Sequence, residues 1–196
     1  MTMNEEMKSL QKNQTWDLVE LPKSIRVMGR KWIFKKKFGS SSEEFFCYKA
    51  CLVAEGYNHK EGVDYNGIFS PVVRHTSICV LLALVEILDM ELEQLDVKTV
   101  FLHGRLDEGI VIEKHEGFEM EGKENFIYKL KRSLYGLKQS PRQWYKRFDE
   151  FIVSHGYIRS SYDSCVYHSK AEDGCHIYLL LYVDDIFIEF HNLLDM

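Results

Sequence analysis

Asp184 and Asp185 stand side by side in Ile177-Tyr-Leu-Leu-Leu-Tyr-Val-Asp-Asp-Ile-Phe-Ile-Glu-Phe190, between two apolar, β-prone runs. Adjacent carboxylates repel, and the repulsion grows as water is excluded. A divalent cation removes that penalty, and hard oxygen donors suit magnesium or manganese. The plain alternative is a solvated turn that carries two acids, because such residues are common in turns. A third carboxylate, Asp96, lies near the end of the stretch Leu92–Val97. Brought beside the pair, it would complete a three-carboxylate cluster able to hold two magnesium ions roughly 4 Å apart, as in polymerases and nucleases. One ion would activate an attacking 3′-hydroxyl and the other would neutralise a leaving pyrophosphate. The three acids should then converge within roughly 4–7 Å. The alternative for Asp96 is a cap on the turn that follows it.

A second constellation is cationic. Lys129-Leu-Lys-Arg-Ser-Leu-Tyr-Gly-Leu-Lys-Gln-Ser-Pro-Arg-Gln-Trp-Tyr-Lys-Arg-Phe148 interleaves bases with aromatics. Cations neutralise phosphates, and aromatic faces stack on nucleobases. Trp144 and Phe148, four residues apart, read as core, leaving Lys138, Arg142, Lys146 and Arg147 to grip phosphate. Gly136 would allow close backbone approach to a nucleotide.

These residues need elements to position them. The apolar runs around Asp184 and Asp185 predict a β-hairpin with the acids at its tip. Leu92–Val97 predicts a strand with Asp96 near its end, followed by a helical turn through Phe101 and Leu102. Met1–Lys12 has helical spacing, with Met3, Met7 and Leu10 on one face. Trp16–Leu21 reads as a strand closed by Pro22. Lys31–Phe38 and Phe45–Ala54 read as a long hairpin around the turn residues 39–43. The nearly all-apolar Thr76–Asp89 predicts a buried helix. Ile110–Glu113, Phe126–Leu130 and Cys165–His168 are further strands. Ser140 is placed as an N-cap and Pro141 as the first residue of a helix running to a Gly156 stop. Strands and helices mix without regular alternation, which predicts an α+β fold.

Composition sets the outer bounds. A chain of 196 residues, 45% hydrophobic and 28% charged, can bury a real core. No apolar stretch is long enough to span a bilayer, and the acidic start lacks the apolar region of a signal peptide. Five cysteines without a CxxC pair point to reduced thiols in an intracellular protein. The formal net charge of −5 is poor for a nucleic-acid binder, but it conceals segregation. Residues 126–148 hold seven Lys or Arg and no acid, whereas acids dominate residues 86–124.

Gln94-Leu-Asp-Val-Lys-Thr-Val-Phe-Leu-His-Gly104, Ser133-Leu-Tyr-Gly-Leu-Lys-Gln-Ser-Pro-Arg-Gln-Trp-Tyr145 and Leu181-Tyr-Val-Asp-Asp185 resemble motifs A, B and C of copia-type retrotransposon reverse transcriptases. Asn13-Gln-Thr-Trp-Asp-Leu-Val19, Lys31-Trp-Ile-Phe34, Tyr65-Asn-Gly-Ile-Phe-Ser-Pro71 and Asp163-Ser-Cys-Val-Tyr167 extend the likeness over nearly the whole chain. The resemblance implies a right-hand polymerase, with fingers at 1–71 and 104–139 and palm at 72–103 and 140–196. It implies RNA-directed DNA polymerisation from a dNTP onto a primer on an RNA or DNA template, with two Mg2+ or Mn2+ ions. Asp96, Asp184 and Asp185 match the catalytic metal ligands, and the Val97 carbonyl is a further expected ligand. Phe101 matches the aromatic that crowds the sugar 2′ position. Tyr135, Gly136 and Lys49 are expected against the nucleotide, and Tyr182 against nucleic acid. The family context is a polyprotein with integrase and ribonuclease H, away from membranes, in cytoplasmic virus-like particles or the nucleus.

Several positions depart from the family pattern. Cys47, Cys51 and Cys79 stand where arginines are expected, and Glu55 where a lysine is. Val100 replaces a small alanine, and Glu189-Phe190 replaces a pair of small residues. The likeness also stops shortly after the Tyr182-Val-Asp-Asp185 hairpin, before a thumb or ribonuclease H. An inactive retrotransposon remnant, at most binding nucleic acid, is therefore the alternative reading.

Overall fold

The computed structural model describes residues 3–21, 25–38, 46–58, 62, 65, 67–114, 125–171 and 174–191. In chain order its elements are α1 (Met3–Lys12), β1 (Trp16–Glu20), β2 (Val27–Met28), β3 (Arg30–Phe38) and β4 (Phe46–Ala54). There follow α2 (His75–Ile87), β5 (Glu91–Asp96), β6 (Val111–Ile112), β7 (Phe126–Leu130) and α3 (Ser140–Ser154). The last four strands are β8 (Ile158–Arg159), β9 (Val166–Lys170), β10 (His176–Tyr182) and β11 (Asp185–Phe190). Short 3₁₀ turns occupy Gly56–Asn58 and Val100–His103. Helices and antiparallel-rich sheets mix as the sequence predicts.

The chain divides into two interleaved compact units, residues 1–68 with 101–144 and residues 69–100 with 145–196. The first unit contains a four-stranded sheet in the order β1-β7-β6-β2 and the two-stranded hairpin β3-β4. Its core gathers Met7 and Leu10 of α1, Leu52 and Ala54 of β4, Ile112, Tyr128, Leu130, Leu134 and Leu137. The period-two alternation of a strand explains β4: Ala50, Leu52 and Ala54 are buried while Lys49 is exposed. The predicted turn at residues 39–43 lies outside the described residues.

The second unit is built on one antiparallel sheet, ordered β5-β11-β10-β9-β8. The predicted helix over Thr76–Asp89 forms as α2, but it is not buried. Leu81 alone is fully buried, whereas Val80, Leu82 and Ile87 are exposed. A helix that is apolar on every side has more apolar surface than one sheet face can cover. On α3, Trp144, Phe148 and Ile152 are buried and Phe151 is not. The Gly156 stop takes the expected left-handed form, φ 87°. Gly156 N–H bonds the Val153 carbonyl at 3.1 Å and Tyr157 N–H the Ile152 carbonyl at 3.4 Å, closing a Schellman motif. Ser140 differs from expectation. It is the first residue of α3, and its hydroxyl donates to the Leu134 carbonyl at 2.7 Å. Among the described residues no helix is long and apolar enough to cross a membrane.

Candidate active site

In the second unit, β10 and β11 pair through Tyr182↔Asp185, leaving Val183 and Asp184 as a two-residue turn. The apolar runs therefore form the expected hairpin. Val183 has φ 59°, a position at which a type II′ turn asks for glycine. A β-branched residue there is a genuine conformational outlier. Strand β5 lies on the other side of β11, with Asp96 directly opposite Asp185. The Val97 N–H donates to the Asp184 carbonyl at 3.0 Å and ties the end of β5 to the turn. Topology thus brings all three aspartates to one end of one sheet, with Tyr182 exposed beside them.

Asp185 Oδ1 accepts a 3.0 Å hydrogen bond from Gln94 Nε2, and Asp96 and Asp184 are exposed. Among the described residues no group of three or more His, Cys, Asp and Glu is placed to hold a metal ion. The Gln94 bond holds one oxygen of the Asp185 carboxylate. Gln94 sits two residues before Asp96, on the same face of β5. That alternation was the available signal for it. The donor set itself fits a hard divalent cation: three carboxylates, two of them cross-strand neighbours of like charge whose opposition is destabilising.

The nucleotide-side residues fall in the first unit. Phe101 meets Tyr135 edge to face, with ring centroids 4.8 Å apart. The Tyr135 carbonyl accepts the Ala54 N–H at 2.8 Å, fixing this loop to the end of β4. Gly136 has φ 91°. A Cβ there would collide with the Ala54 carbonyl, and one at Gly56 with the Gly136 carbonyl. The close approach that Gly136 permits is thus to the chain's own backbone. Lys49 is exposed on β4, directly opposite Lys35.

Of the four phosphate-gripping candidates, Lys138 has its ammonium 5.4 Å above the Tyr65 ring. Arg142 lies against Gly67, where a Cβ would strike its guanidinium. Lys146 and Arg147 are exposed on the part of α3 that belongs to the second unit.

The departures from the family pattern have distinct surroundings. Cys51 is half-buried, and its thiol is pushed up to about 12 by burial and by Glu6, whose carboxylate accepts the Leu52 N–H at 3.4 Å. The Cys47 side chain lies outside the described residues. Cys79 is exposed on α2, in the second unit, with Sγ 3.7 Å from His75 Nδ1. Glu55 Oε2 accepts the Tyr57 hydroxyl at 3.1 Å, and Val100 is buried. Cys51, Cys79, Cys165 and Cys175 all carry free thiols.

Two carboxylates without an assigned role in the sequence reading prove to be structural features of the second unit. Asp163 is 7% exposed and accepts three bonds, from Arg74 N–H at 2.8 Å, Ser77 Oγ at 2.7 Å and Cys165 N–H at 3.0 Å. It thereby caps α2 from the other end of the sequence. Burial alone would raise its pKa, but these bonds and the Arg74 charge outweigh it and hold the carboxyl below its usual range. Glu189 is 2% exposed, and its Oε2 has no hydrogen-bond partner. Burial raises its pKa to about 7.

The chain matches the model of the family described as reverse transcriptase (RNA-dependent DNA polymerase) over residues 13–195. It is 54% identical over 187 residues to the Retrovirus-related Pol polyprotein from transposon TNT 1-94 of Nicotiana tabacum, covering 95% of this chain and 14% of that one. It is 38% identical over 190 residues to the corresponding polyprotein of transposon RE1 of Arabidopsis thaliana, covering 93% and 13%. Against the Transposon Ty1-DR4 Gag-Pol polyprotein of Saccharomyces cerevisiae the identity is 30% over 199 residues, covering 97% and 11%. The chain thus spans about a seventh of the length of the first two of these relatives, which are themselves polyproteins. Arranged along a chain with this geometry, the matches leave one conclusion: it belongs to the reverse transcriptase (RNA-dependent DNA polymerase) family, as a copia-type member.

Proposed function

We propose that this chain performs RNA-directed DNA polymerisation, transferring a nucleotide from a dNTP to a primer 3′-hydroxyl. The observation that carries this reading is the cross-strand pairing of Asp96 with Asp185 beside a turn that presents Asp184. In it, Asp96, Asp184, Asp185 and the Val97 carbonyl would hold Mg2+ or Mn2+, which when bound supplies Lewis-acid activation of the hydroxyl and neutralises charge on the leaving pyrophosphate. Gln94 orients Asp185 through its 3.0 Å bond. The second unit takes the part of the palm and the first that of the fingers.

Phe101, braced by Tyr135, limits the room at the sugar 2′ position. Lys35 and Lys49, opposed across the β3-β4 hairpin, form a like-charge pair that an incoming triphosphate would relieve. Tyr182, Lys138, Arg142, Lys146 and Arg147 contact primer and template. The Pol polyprotein names of the relatives support action within a longer product. The integrase and ribonuclease H that the family resemblance implies, and an intracellular setting, belong to the same proposal.

Primer extension tests the reading. The departures at Cys47, Cys51 and Glu55 predict poor extension of an annealed primer with magnesium, and Asp185→Asn should lower whatever rate is measured by at least a hundredfold, the usual cost of losing a group that stabilises transition-state charge. Extension that persists undiminished in Asp185→Asn refutes this assignment of the acids.

A further inference from the structure

The first unit holds a third like-charge pair that the polymerase reading does not use. Arg105 and Arg132 face each other in an isolated antiparallel bridge. They line a cleft of about 450 Å³ together with Lys129, Lys131, Asp107 and Glu108. Arg105 and Lys129 are exposed and have no ion-pair partner among the described residues. Lys131 reaches Asp17 at 2.7 Å, and Arg132 Nη1 donates to the His103 carbonyl at 3.3 Å. Arginines set opposite one another destabilise a bridge unless an anion lies between them.

The walls are preset by the main chain. Lys131 N–H and Arg132 N–H both bond the Thr15 carbonyl, at 2.8 and 3.1 Å. Leu106 N–H bonds the Lys131 carbonyl at 3.1 Å, and Leu130 N–H the Ile110 carbonyl at 2.9 Å. Thr15 is itself anchored, its hydroxyl donating to the Leu10 carbonyl at 2.8 Å. A cleft already held open in this way loses little freedom when a ligand enters.

We infer that this cleft binds the phosphate of a nucleotide unit. Four bases against two acids favour an anion. Phosphate matches the forked donors of arginine better than a point charge does. The acids narrow the choice further. Glu108 Oε2 is buried and has no hydrogen-bond partner. A bare anion leaves it so, whereas the hydroxyl or amino groups of a nucleotide can donate to the acids. The volume lies in the range of small-ligand sites. The nucleotide can be free or part of a single strand, and both present the same chemistry. This inference does not rest on polymerase activity.

The test is binding, read by fluorescence polarisation of a labelled oligothymidylate at low salt, with calorimetry of ATP in parallel. The variant combines Arg105→Glu with Lys129→Glu, both at exposed positions, and its melting temperature is checked against the parent. The strand form predicts at least tenfold weaker oligonucleotide binding and a log–log salt slope smaller by about 1.4, the share of two phosphates on a single strand. The free form predicts at least tenfold weaker ATP binding with the oligonucleotide unaffected. Unchanged affinity for both probes in a folded variant overturns the inference. So does polyglutamate displacing them as well as a phosphorylated competitor. Should the double variant melt early, Arg105→Gln alone is read by the same criteria, with a threefold loss as the threshold.

Discussion

Two carboxylates of the second unit are both buried and have opposite fates. Asp163, in the loop between β8 and β9, is met by three donors, and its carboxyl is held in the charged form. Glu189, near the far end of β11, faces Tyr178 and Leu92 in the strand register, and its Oε2 meets no donor. Burial therefore does not decide whether an acid stabilises a fold. The donors supplied with it do, because a charge removed from water without partners costs several kcal/mol while a satisfied one can contribute. Asp163 joins residues far apart in sequence and organises the unit. Glu189 occupies strand surface that an apolar side chain would fill at less cost.

Removing the satisfied acid should have the largest effect. Asp163→Ala leaves the Arg74 and Cys165 N–H groups without partners and uncaps α2. At 1–3 kcal/mol per orphaned donor, about 4 kcal/mol should be lost near neutral pH. Chemical denaturation of parent and variant measures it. The pH dependence provides a second check. A carboxyl whose pKa is lowered by folding contributes stability above its ordinary unfolded value, 3.8, and loses it as pH falls through the folded value. The variant should lack that acid-side loss. A destabilisation below about 1 kcal/mol, no more than one ordinary hydrogen bond, would break the contrast between the two acids.

Glu189 should behave in the reverse sense. Its folded pKa, about 7, is raised from 4.5, so its proton is retained on folding. Stability from this group is fully present below about 4.5 and declines as pH rises through about 7. The shift corresponds to at most about 3 kcal/mol. Glu189→Gln should stabilise the protein by about 2–3 kcal/mol at pH 8, change little at pH 4, and flatten the decline between. A parent stability that is level across this range, or a glutamine variant less stable at pH 8, would show that Glu189 has a donor in solution.

The same contrast marks what the sequence could show. The β-prone apolar runs on both sides of Asp184 and Asp185 made the β10-β11 hairpin legible, and the strand ending at Asp96 was legible as well. These are local signals, and the aspartates belong to them. The exposure of α2 was not legible, because an apolar run states how much surface wants burial and not how much the neighbours can cover. Gly136 was recognised as a close-approach position, but what it approaches, the Ala54 carbonyl, is set by tertiary packing. Asp163 could not be read as a helix cap because its partner Arg74, just before α2, lies 89 residues away in sequence. Gln94 lay within reach of pattern alone, two residues from Asp96 on the same face.

The hairpin tip supplies the smallest expected effect and the sharpest use of the comparison. Like Glu189, Val183 is a local cost, here of backbone conformation: φ is 59° at a β-branched residue. Such strain amounts to about 1–3 kcal/mol. Val183→Gly removes it and adds about 0.5–1 kcal/mol of backbone entropy to the unfolded state. Because Val183 is exposed, little burial is lost, and the net gain should be about 1 kcal/mol, read as a higher denaturation midpoint. The two costs should nevertheless separate in function. The strain at Val183 lies between Tyr182 and Asp184 and helps to fix where the Asp184 carboxylate sits, whereas Glu189 lies at the other end of the strand. Val183→Gly should therefore raise stability and lower primer extension together, and Glu189→Gln should raise stability and leave extension intact. If the glycine variant extends primers as well as the parent, the strained turn is incidental and the tip differs from Glu189 only in size of cost.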